Sequence, residues 1–154
     1  MINFVKLILC ILLLQIIGLV GATFTVPKVL TWYTIIEKPS FNPPSSVFGP
    51  TWTILYILMG VALFLIWKSE HPMMKKAIAV FGLQVFLNAL WSPAFFGLES
   101  PLMGLIIIVP LWISILVCIK IFFPIQKWAS ILMIPYFLWV SFATVLNASI
   151  WYLN

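Results

Sequence analysis

Ionisable side chains are scarce in this chain of 154 residues, which has eight lysines, no arginine, one histidine and three glutamates. The carboxylates Glu37, Glu70 and Glu99 and the imidazole of His71 all fall outside the apolar runs. A proton-coupled or ion-coupled transporter normally keeps an ionisable group inside the membrane as a relay or counter-ion. The sequence therefore argues against secondary active transport, against acid–base catalysis and against a metal site.

Cysteine is rare as well, and both Cys10 and Cys118 fall within apolar runs. A free thiol in such a place behaves as a small buried hydrophobe, and neither the spacing nor a histidine partner suggests a metal ligand or a nucleophile. The net charge of +5 does not form a basic stripe interleaved with exposed aromatic residues. These patterns predict no cofactor and no nucleic-acid partner.

Hydrophobic residues dominate what remains, at 64% of the chain against 7% charged residues, with a mean hydropathy of +1.22. This composition is that of an integral membrane protein, because about 20 apolar residues cross a bilayer as a helix. We predict an all-α bundle of five transmembrane helices that forms one membrane domain, 1–154. The first apolar run is long for a signal peptide, so we expect a retained helix. The predicted spans are about 4–22, 47–67, 73–96, 102–122 and 129–151.

Lysine distribution predicts the orientation of the bundle. Six lysines lie at the N-terminus and in the second and fourth connections, whereas only Lys28 and Lys38 lie on the opposite side. By the positive-inside rule the N-terminus is cytoplasmic, and an odd number of spans places the C-terminus outside. The six are Lys6, Lys68, Lys75, Lys76, Lys120 and Lys127.

The one long connection, residues 23–46, lies on the outer side in this topology. It holds four prolines, together with Trp32, Tyr33 and Phe41. Proline stiffens a chain and aromatic rings need a packing surface, so we expect an ordered cover over one end of the bundle. The alternative is an interfacial belt, because tryptophan and tyrosine also favour headgroup depth.

Polar side chains share one face of the third span, where Gln84, Asn88 and Trp91 follow one another at helical spacing. Amides inside a membrane face other helices, a ligand or water, since unpaired groups in lipid are costly. One interpretation is that Gln84 and Asn88 only hold helices together, at about 0.6 to 2 kcal/mol each. The other is that they line a ligand chamber.

Similar stripes occur in two other spans and favour the chamber, with a tightly packed core that has no chamber as the alternative. Trp52 and Tyr56 begin the second span at a spacing of four, near the end where Asn88 lies. The fifth span carries a stripe that the helical period places on one face, and its phase allows Trp139 to face Trp52 across the chamber. Indole faces stack on π-systems and amides fix orientation, so the chamber suits a flat, largely apolar ligand. That stripe is Tyr136, Trp139, Ala143 and Asn147.

Several linked motifs resemble the translocator protein or tryptophan-rich sensory protein (TspO/MBR) family over nearly the whole chain. They are Trp32-Tyr33 with Lys38-Pro39 and Pro43-Pro44; the segment VFGPTWTILY from Val47 to Tyr56; Gln84, Asn88 and Trp91-Ser92-Pro93 with Phe95-Phe96-Gly97; and Pro135-Tyr136, Trp139, Ala143 and Leu146-Asn147.

The resemblance implies a five-helix bundle, usually a homodimer, in a bacterial plasma membrane. It also implies a pocket under the first loop that binds porphyrins and isoquinoline-type or benzodiazepine-type drugs. Some bacterial relatives are credited with light-dependent oxidative breakdown of protoporphyrin, and Trp52 and Trp139 are the matching catalytic candidates. The pocket residues carried over by motif are Tyr33, Pro43, Trp52, Tyr56, Asn88, Trp91, Trp139, Ala143 and Asn147.

The leading hypothesis is thus a membrane receptor for porphyrin-type tetrapyrroles, free-base porphyrin in preference to haem, because no axial ligand is placed by motif in the chamber. The alternatives are a passive exporter of porphyrins or lipids, and an interaction or regulatory protein without turnover. Sterol binding is not supported, since the sterol pattern of animal relatives at the end of the fifth helix is absent. A dimer seam is expected at Gly18 with Ala22 or at Ala79 with Gly82.

Overall fold

The computed structural model describes residues 2–154, and this part of the chain contains helices but no strand. Five helical segments are long and apolar enough to cross a membrane, which confirms the predicted five-helix membrane fold. The segments are Asn3–Val29, Ser45–Lys68, Met74–Gly97, Pro101–Ile125 and Lys127–Leu153. Their bounds lie within a few residues of the predicted spans, with one larger difference in the first helix.

Seven α-helices make up these segments and the long connection between the first two. A 3₁₀ turn, Ser45–Val47, precedes the third helix, and one π-helical turn, Pro93–Gly97, follows the fourth. In chain order the helices are α1 (Ile2–Val29), α2 (Trp32–Ile35), α3 (Phe48–Lys68), α4 (Met74–Ser92), α5 (Pro101–Ile125), α6 (Lys127–Leu132) and α7 (Ile134–Leu153).

Helix α1 continues seven residues beyond the predicted end at residue 22, so part of the predicted loop 23–46 is helical. Pro27 lies inside this extension. A proline in a helix removes one hydrogen bond to the carbonyl four residues earlier, but here it stands within the last turn, where little helix remains to be disrupted. The connection between α1 and the 3₁₀ turn is therefore only residues 30–44, which include the short helix α2, and we call these residues the lid.

The fifth span is not one uninterrupted helix, because α6 ends at Leu132 and α7 begins at Ile134. Pro135 stands in the first turn of α7, where the missing N–H has no intrahelical role. The π-helical turn after α4 likewise begins at a proline, Pro93, whose carbonyl accepts from the Leu98 amide at 2.9 Å. Such turns re-aim side chains and are frequent at functional sites.

Glycines allow α1 to pack closely on α3. A Cβ added at Gly60 would lie 2.7 Å from the Ile11 Cα, and one added at Gly18 would collide with the ring of Tyr56. Gly18 therefore packs against α3 of the same chain. This contact argues against the first of the two predicted dimer seams. A Cβ at Gly82 would meet nothing within 4 Å, so the face of α4 with Ala79 and Gly82 is exposed.

The bundle has two ends with different contents. The end beneath the lid, which we call the lid end, contains the predicted polar-aromatic stripes. The opposite end, which we call the apolar end, is filled by aliphatic side chains and by stacked Phe81 and Phe122, whose ring centroids are 6.1 Å apart. Ile66, Ala77 and Ile115 are fully buried there.

Candidate ligand-binding site at the lid end

Three helices contribute to a hydrogen-bonded group at the centre of the lid end. The Tyr56 hydroxyl on α3 donates to Asn88 Oδ1 on α4 at 2.7 Å, and Asn88 Nδ2 donates to the Tyr136 hydroxyl on α7 at 2.9 Å. All three side chains are buried. One amide thus joins two phenols, which places the predicted residues Tyr56 and Asn88 together. We call Tyr56, Asn88 and Tyr136 the phenol–amide group.

Tyr136 was not among the residues carried over by motif, although it stands on the predicted α7 stripe. The helical period placed it on the same face as Trp139, three residues later, and that spacing was the signal for it. A phenol that is fully buried in a membrane helix needs a hydrogen-bond partner, and Asn88 is that partner. Tyr136 therefore belongs to the candidate site.

Trp52 covers the phenol–amide group on the lid side. Its ring stacks on Tyr56, one turn further along α3, with centroids 5.5 Å apart, and meets Tyr136 edge-on at 6.1 Å. Trp52 is half-buried, so part of its indole is accessible. The structure thus brings together an aromatic face and an amide with two hydrogen bonds, and their role in binding a flat ligand stays a prediction.

Trp91 and Asn147 form a second polar pair nearer the lid. Trp91 Nε1 donates to Asn147 Oδ1 at 3.2 Å, and Asn147 Nδ2 donates to the carbonyl of Pro101 at 2.7 Å. A Cβ at Gly104 would lie 2.8 Å from Asn147 Oδ1, so α5 admits the amide only because this position is glycine. Sequence reasoning did not single out Gly104, since nothing in a single glycine indicates which neighbour approaches it.

Trp139 makes its ring contacts with neighbours other than those of Trp52. Its centroid lies 6.1 Å from Phe48, at the start of α3, and 5.6 Å from Phe142. Phe142 in turn contacts Phe41 of the lid at 6.3 Å. Trp139 thus belongs to an aromatic row that runs from α3 over α7 to the lid. Ala143, the small residue one turn after Trp139, is half-buried beside this row.

The lid is held by its own hydrogen bonds. The Tyr33 hydroxyl donates to Asn42 Oδ1 at 2.7 Å, and Asn42 Nδ2 donates to the carbonyl of Pro43 at 3.2 Å. Lys38 Nζ donates to the carbonyls of Tyr33 and Ile36, both at 2.7 Å. These contacts support an ordered cover in preference to an interfacial belt.

Burial also affects the chemistry of Tyr33. Its ring packs against Phe95 and Phe96 of the π-helical turn, with centroids 6.4 and 5.7 Å away. Burial disfavours the charged phenolate and raises the pKa of Tyr33 to about 12. Tyr33 thus belongs to a cluster with Phe95 and Phe96 that is separate from the phenol–amide group, and Trp91 packs against this cluster and against the main core. Pro43 lies in the lid and is half-buried.

Gln84 differs from the other polar residues of this face. It is fully buried one turn before Asn88, yet neither its Oε1 nor its Nε2 has a hydrogen-bond partner within residues 2–154. A buried amide without a partner costs about 1 to 3 kcal/mol. The interpretation that Gln84 joins two helices is not supported by any contact in the described part of the chain.

The side chains of the phenol–amide group contact one another directly. Two cavities, of about 550 and 290 Å³, lie elsewhere, the first along the last turns of α7 and the second between the lid and the ends of α5 and α7. A ligand at the phenol–amide group therefore has to displace Trp52 or separate the phenols from Asn88. Residues 2–154 include no group of three or more His, Cys, Asp or Glu side chains that could hold a metal.

Comparisons with known proteins identify the family of the chain. The sequence profile of the TspO/MBR family matches residues 10–153. The chain is similar to the tryptophan-rich protein TspO of Chlorobaculum tepidum, at 46% identity over 153 residues that cover 96% of this chain and 95% of the relative. It is also similar to the protein of that name from Archaeoglobus fulgidus, at 43% identity over 99% of both chains. The human translocator protein is 33% identical over 86% of this chain and 80% of its own length.

Proposed function

The chain belongs to the TspO/MBR family, and from that premise we propose that it is a membrane receptor for porphyrin-type tetrapyrroles. The observation that carries the proposal is the phenol–amide group beneath Trp52. A porphyrin is flat, largely apolar and polar at a few atoms, so it needs aromatic faces for stacking and a small number of amides or hydroxyls for orientation. The same surface suits the isoquinoline-type and benzodiazepine-type drugs.

Binding at this place exchanges hydrogen bonds instead of abandoning them. Asn88 has its oxygen and its nitrogen engaged with Tyr56 and Tyr136 in the described state. A ligand that brings donors and acceptors for the amide and for the two phenols replaces these bonds, so little is lost on entry. A purely apolar ligand leaves these buried polar groups unpaired, at a cost of about 1 to 3 kcal/mol each. The amide therefore selects flat ligands that carry polar atoms.

The lid contributes the upper wall of the proposed site. Phe41 contacts Phe142 next to Trp139, and Tyr33 packs on the π-helical turn beside Trp91. Movement of residues 30–44 exposes both tryptophans at once, and closure excludes water from a ligand beneath. Entry from the lid side agrees with the lysine distribution, which predicts that the lid lies outside the cell.

A titration of the solubilised protein with protoporphyrin tests receptor function. We expect saturable binding in the low micromolar range, seen as a shift of the Soret absorbance and quenching of tryptophan fluorescence. This affinity corresponds to a binding free energy of about −8 kcal/mol. Signal that grows linearly, as porphyrin dissolving in the micelle produces, contradicts the proposal. Competition by an isoquinoline-type drug shows whether both ligand classes use one site.

Light-dependent oxidative breakdown of the bound porphyrin, with dissolved oxygen as the oxidant, is the enzymatic extension of this proposal. The photoexcited porphyrin takes an electron from Trp52 or Trp139 and passes it to oxygen, which leaves a radical on the indole, or it transfers its energy to oxygen directly. The reactive oxygen held beside the macrocycle then oxidises it. Phenylalanine keeps a stacking face but removes the readily oxidised indole. We therefore expect Trp52→Phe and Trp139→Phe to retain most of the affinity and to lose the illuminated bleaching of the Soret band. If affinity and bleaching fall together, the tryptophans only shape the site. Wild-type bleaching no faster than that of porphyrin in empty micelles removes the enzymatic claim.

The exposed face of α4 supports a homodimer as a further part of the proposal. Ala79, Gly82, Leu83 and Phe86 are exposed, and the first two are small enough for close helix approach. Gly82→Leu should break a dimer at this face, measured by light scattering in detergent, while the porphyrin affinity stays unchanged. Gly49→Leu is the matched control, because a Cβ there also meets nothing within 4 Å.

If Gly82→Leu instead abolishes the cellular effect while ligand affinity is intact, an interaction protein explains the chain better than a receptor. Passive export is the remaining alternative. It requires ligand to appear on the second side of a sealed vesicle, and accumulation on one side only contradicts it.

A further inference from the structure

The smaller cavity lies outside the proposed porphyrin site. It has a volume of about 290 Å³ and is enclosed by the lid, by the connection before α5 and by the ends of α5 and α7. Its walls combine indole rings, a carboxylate, a hydroxyl and an amide, a mixture that an oily lipid-facing crevice would not have. The lining residues are Trp32, Ile36, Glu99, Ser100, Pro101, Leu102, Trp151 and Asn154.

Two tryptophans and a carboxylate are the features of a site for an organic cation. An ammonium group over an indole face gains about 0.5 to 2 kcal/mol, and the carboxylate adds direct attraction. Trp32 is held in place by edge contacts with Phe95 and Phe96 at 5.5 and 6.3 Å. The Glu99 side chain is 43% exposed and thus within reach of a bound molecule.

Glu99 does not stand alone, because Lys28 Nζ lies 2.6 Å from its Oε1. Lys28 is not one of the lining residues, but this ion pair places its positive charge directly beside the carboxylate that lines the cavity. A simple cation gains from the carboxylate but is repelled by the ammonium. A molecule with an ammonium and a phosphate a few ångströms apart matches both charges, and this is the charge pattern of a zwitterionic phospholipid headgroup.

The surroundings favour a membrane lipid over a soluble zwitterion. Leu102 lines the cavity and also begins an exposed apolar stripe that descends α5 at helical spacing. An acyl chain lies along this stripe when its headgroup occupies the cavity. The stripe consists of Leu102, Ile106, Val109 and Ile113, which are 43 to 53% exposed.

We propose that this cavity binds the zwitterionic headgroup of a membrane phospholipid, with Trp32, Trp151 and Glu99 around the ammonium and Lys28 near the phosphate. The occupant touches the lid through Trp32 and the bundle through Trp151. The two sides already meet where the Asn154 amide pairs with the backbone of Glu37, with both distances 3.0 Å. Lipid at this place therefore fastens the lid to α7.

Native mass spectrometry of the solubilised full chain tests the site with two probes, dihexanoyl phosphatidylcholine and dihexanoyl phosphatidylglycerol. Their acyl chains are identical, so a difference in retention reports the headgroup alone. We expect the choline lipid to be bound about fivefold more tightly, and Glu99→Gln and Trp151→Leu to abolish this preference. Lys28→Gln leaves the Glu99 carboxylate without its ion-pair partner and weakens the binding of the glycerol lipid further. The preference for the choline lipid should therefore rise.

Matched controls lie on the other side of the bundle. Glu70→Gln removes a second exposed carboxylate in a connection with the same positive φ, 50° against 51° for Glu99, and Trp128→Leu removes a second exposed indole. Both controls should keep the preference. Equal retention of the two lipids by the wild type, or a preference that survives Glu99→Gln, overturns the proposal, as does free phosphocholine bound as tightly as the lipid.

Discussion

The lid end and the apolar end of the bundle are made of different side chains, although helices α3, α4 and α5 contribute to both. At the apolar end the buried hydroxyls of Ser114 and Ser130 donate to backbone carbonyls, and apolar packing fills the rest. At the lid end the buried amides Asn88 and Asn147 each have two partners on other elements.

This difference separates the apolar contacts that stabilise the bundle from the polar contacts that we assign to ligand binding. Dispersion contacts are non-directional, and many apolar sequences of suitable volume fill a membrane core. Amides that bridge three helices require particular residues at particular positions and give little stability in return. Such amides are not needed to span the membrane, which is why the proposed ligand site is assigned to the lid end.

The largest effect should come from the apolar end. Phe122→Ala removes a ring that is fully buried against Phe81, and we expect a loss of about 3 kcal/mol in the free energy of unfolding. Unfolding by SDS titration of the micellar protein measures it. Phe123→Ala is the control, since the ring of Phe123, the next residue, is 57% exposed and its removal leaves no cavity. The folded fraction of Phe122→Ala should bind porphyrin as the wild type does, and weakened binding would show that the two ends are not independent.

Substitutions at the lid end should change ligand affinity, which substitutions at the apolar end should not. Asn88→Leu removes the amide between Tyr56 and Tyr136, and we expect protoporphyrin affinity to fall about tenfold, the worth of one to two hydrogen bonds. Tyr56→Phe keeps the ring beneath Trp52 and loses a single hydrogen bond. Its porphyrin affinity should therefore lie between that of the wild type and that of Asn88→Leu. Soret titration of both variants measures the series. Wild-type affinity in both variants would move the proposed site away from the phenol–amide group.

Much of this arrangement follows from the sequence. Apolar run length predicted five membrane helices, and the helical period predicted that Trp52, Tyr56 and Asn88 face inward. Period identifies a face but not its partner, because the relative rotation and height of two helices depend on packing across the whole interface. The hydrogen bond from Asn88 to Tyr136 could therefore not be predicted from the sequence. The same holds for the contact of Gly18 with Tyr56, which argues against the first predicted dimer seam.

Helix ends were the least predictable feature. Pro27 was expected to lie in a loop, but a proline in a last turn costs one hydrogen bond and does not end the helix. The interruption at Met133 was missed for the opposite reason, because Pro135 lies in a run that is apolar on both sides. Hydropathy reports whether a segment prefers lipid, and it carries no information on where the helix is interrupted.

Gln84 lies between the two ends, and its substitution sharpens the comparison. Because both amide atoms have no partner in the described residues, we expect Gln84→Leu to raise the free energy of unfolding by about 1 to 2 kcal/mol. Asn88→Leu should have the opposite sign, since it strands two buried hydroxyls. SDS titration compares the two variants directly. A destabilised Gln84→Leu would mean that the amide is paired in the membrane, and that the polar stripe continues further toward the apolar end.

The smallest effect concerns the lid itself, through the ionisation of Tyr33. Its pKa is raised from 10 to about 12 by burial, so the folded lid favours the neutral phenol. This contribution to stability is complete below pH 10 and is lost as the pH rises from 10 to about 12, because the unfolded lid releases its proton first. Tyr33→Phe removes the titration and the hydrogen bond to Asn42, at a cost of about 1 kcal/mol.

The difference in tyrosinate absorbance between wild type and Tyr33→Phe isolates this one phenol, and we expect it to appear near pH 12. Tyr152→Phe, which removes a phenol that is 87% exposed, should leave this late component in place. A Tyr33 component near pH 10 would mean that residues 30–44 stand open in the membrane, and that the ordered lid forms only when a ligand lies beneath it.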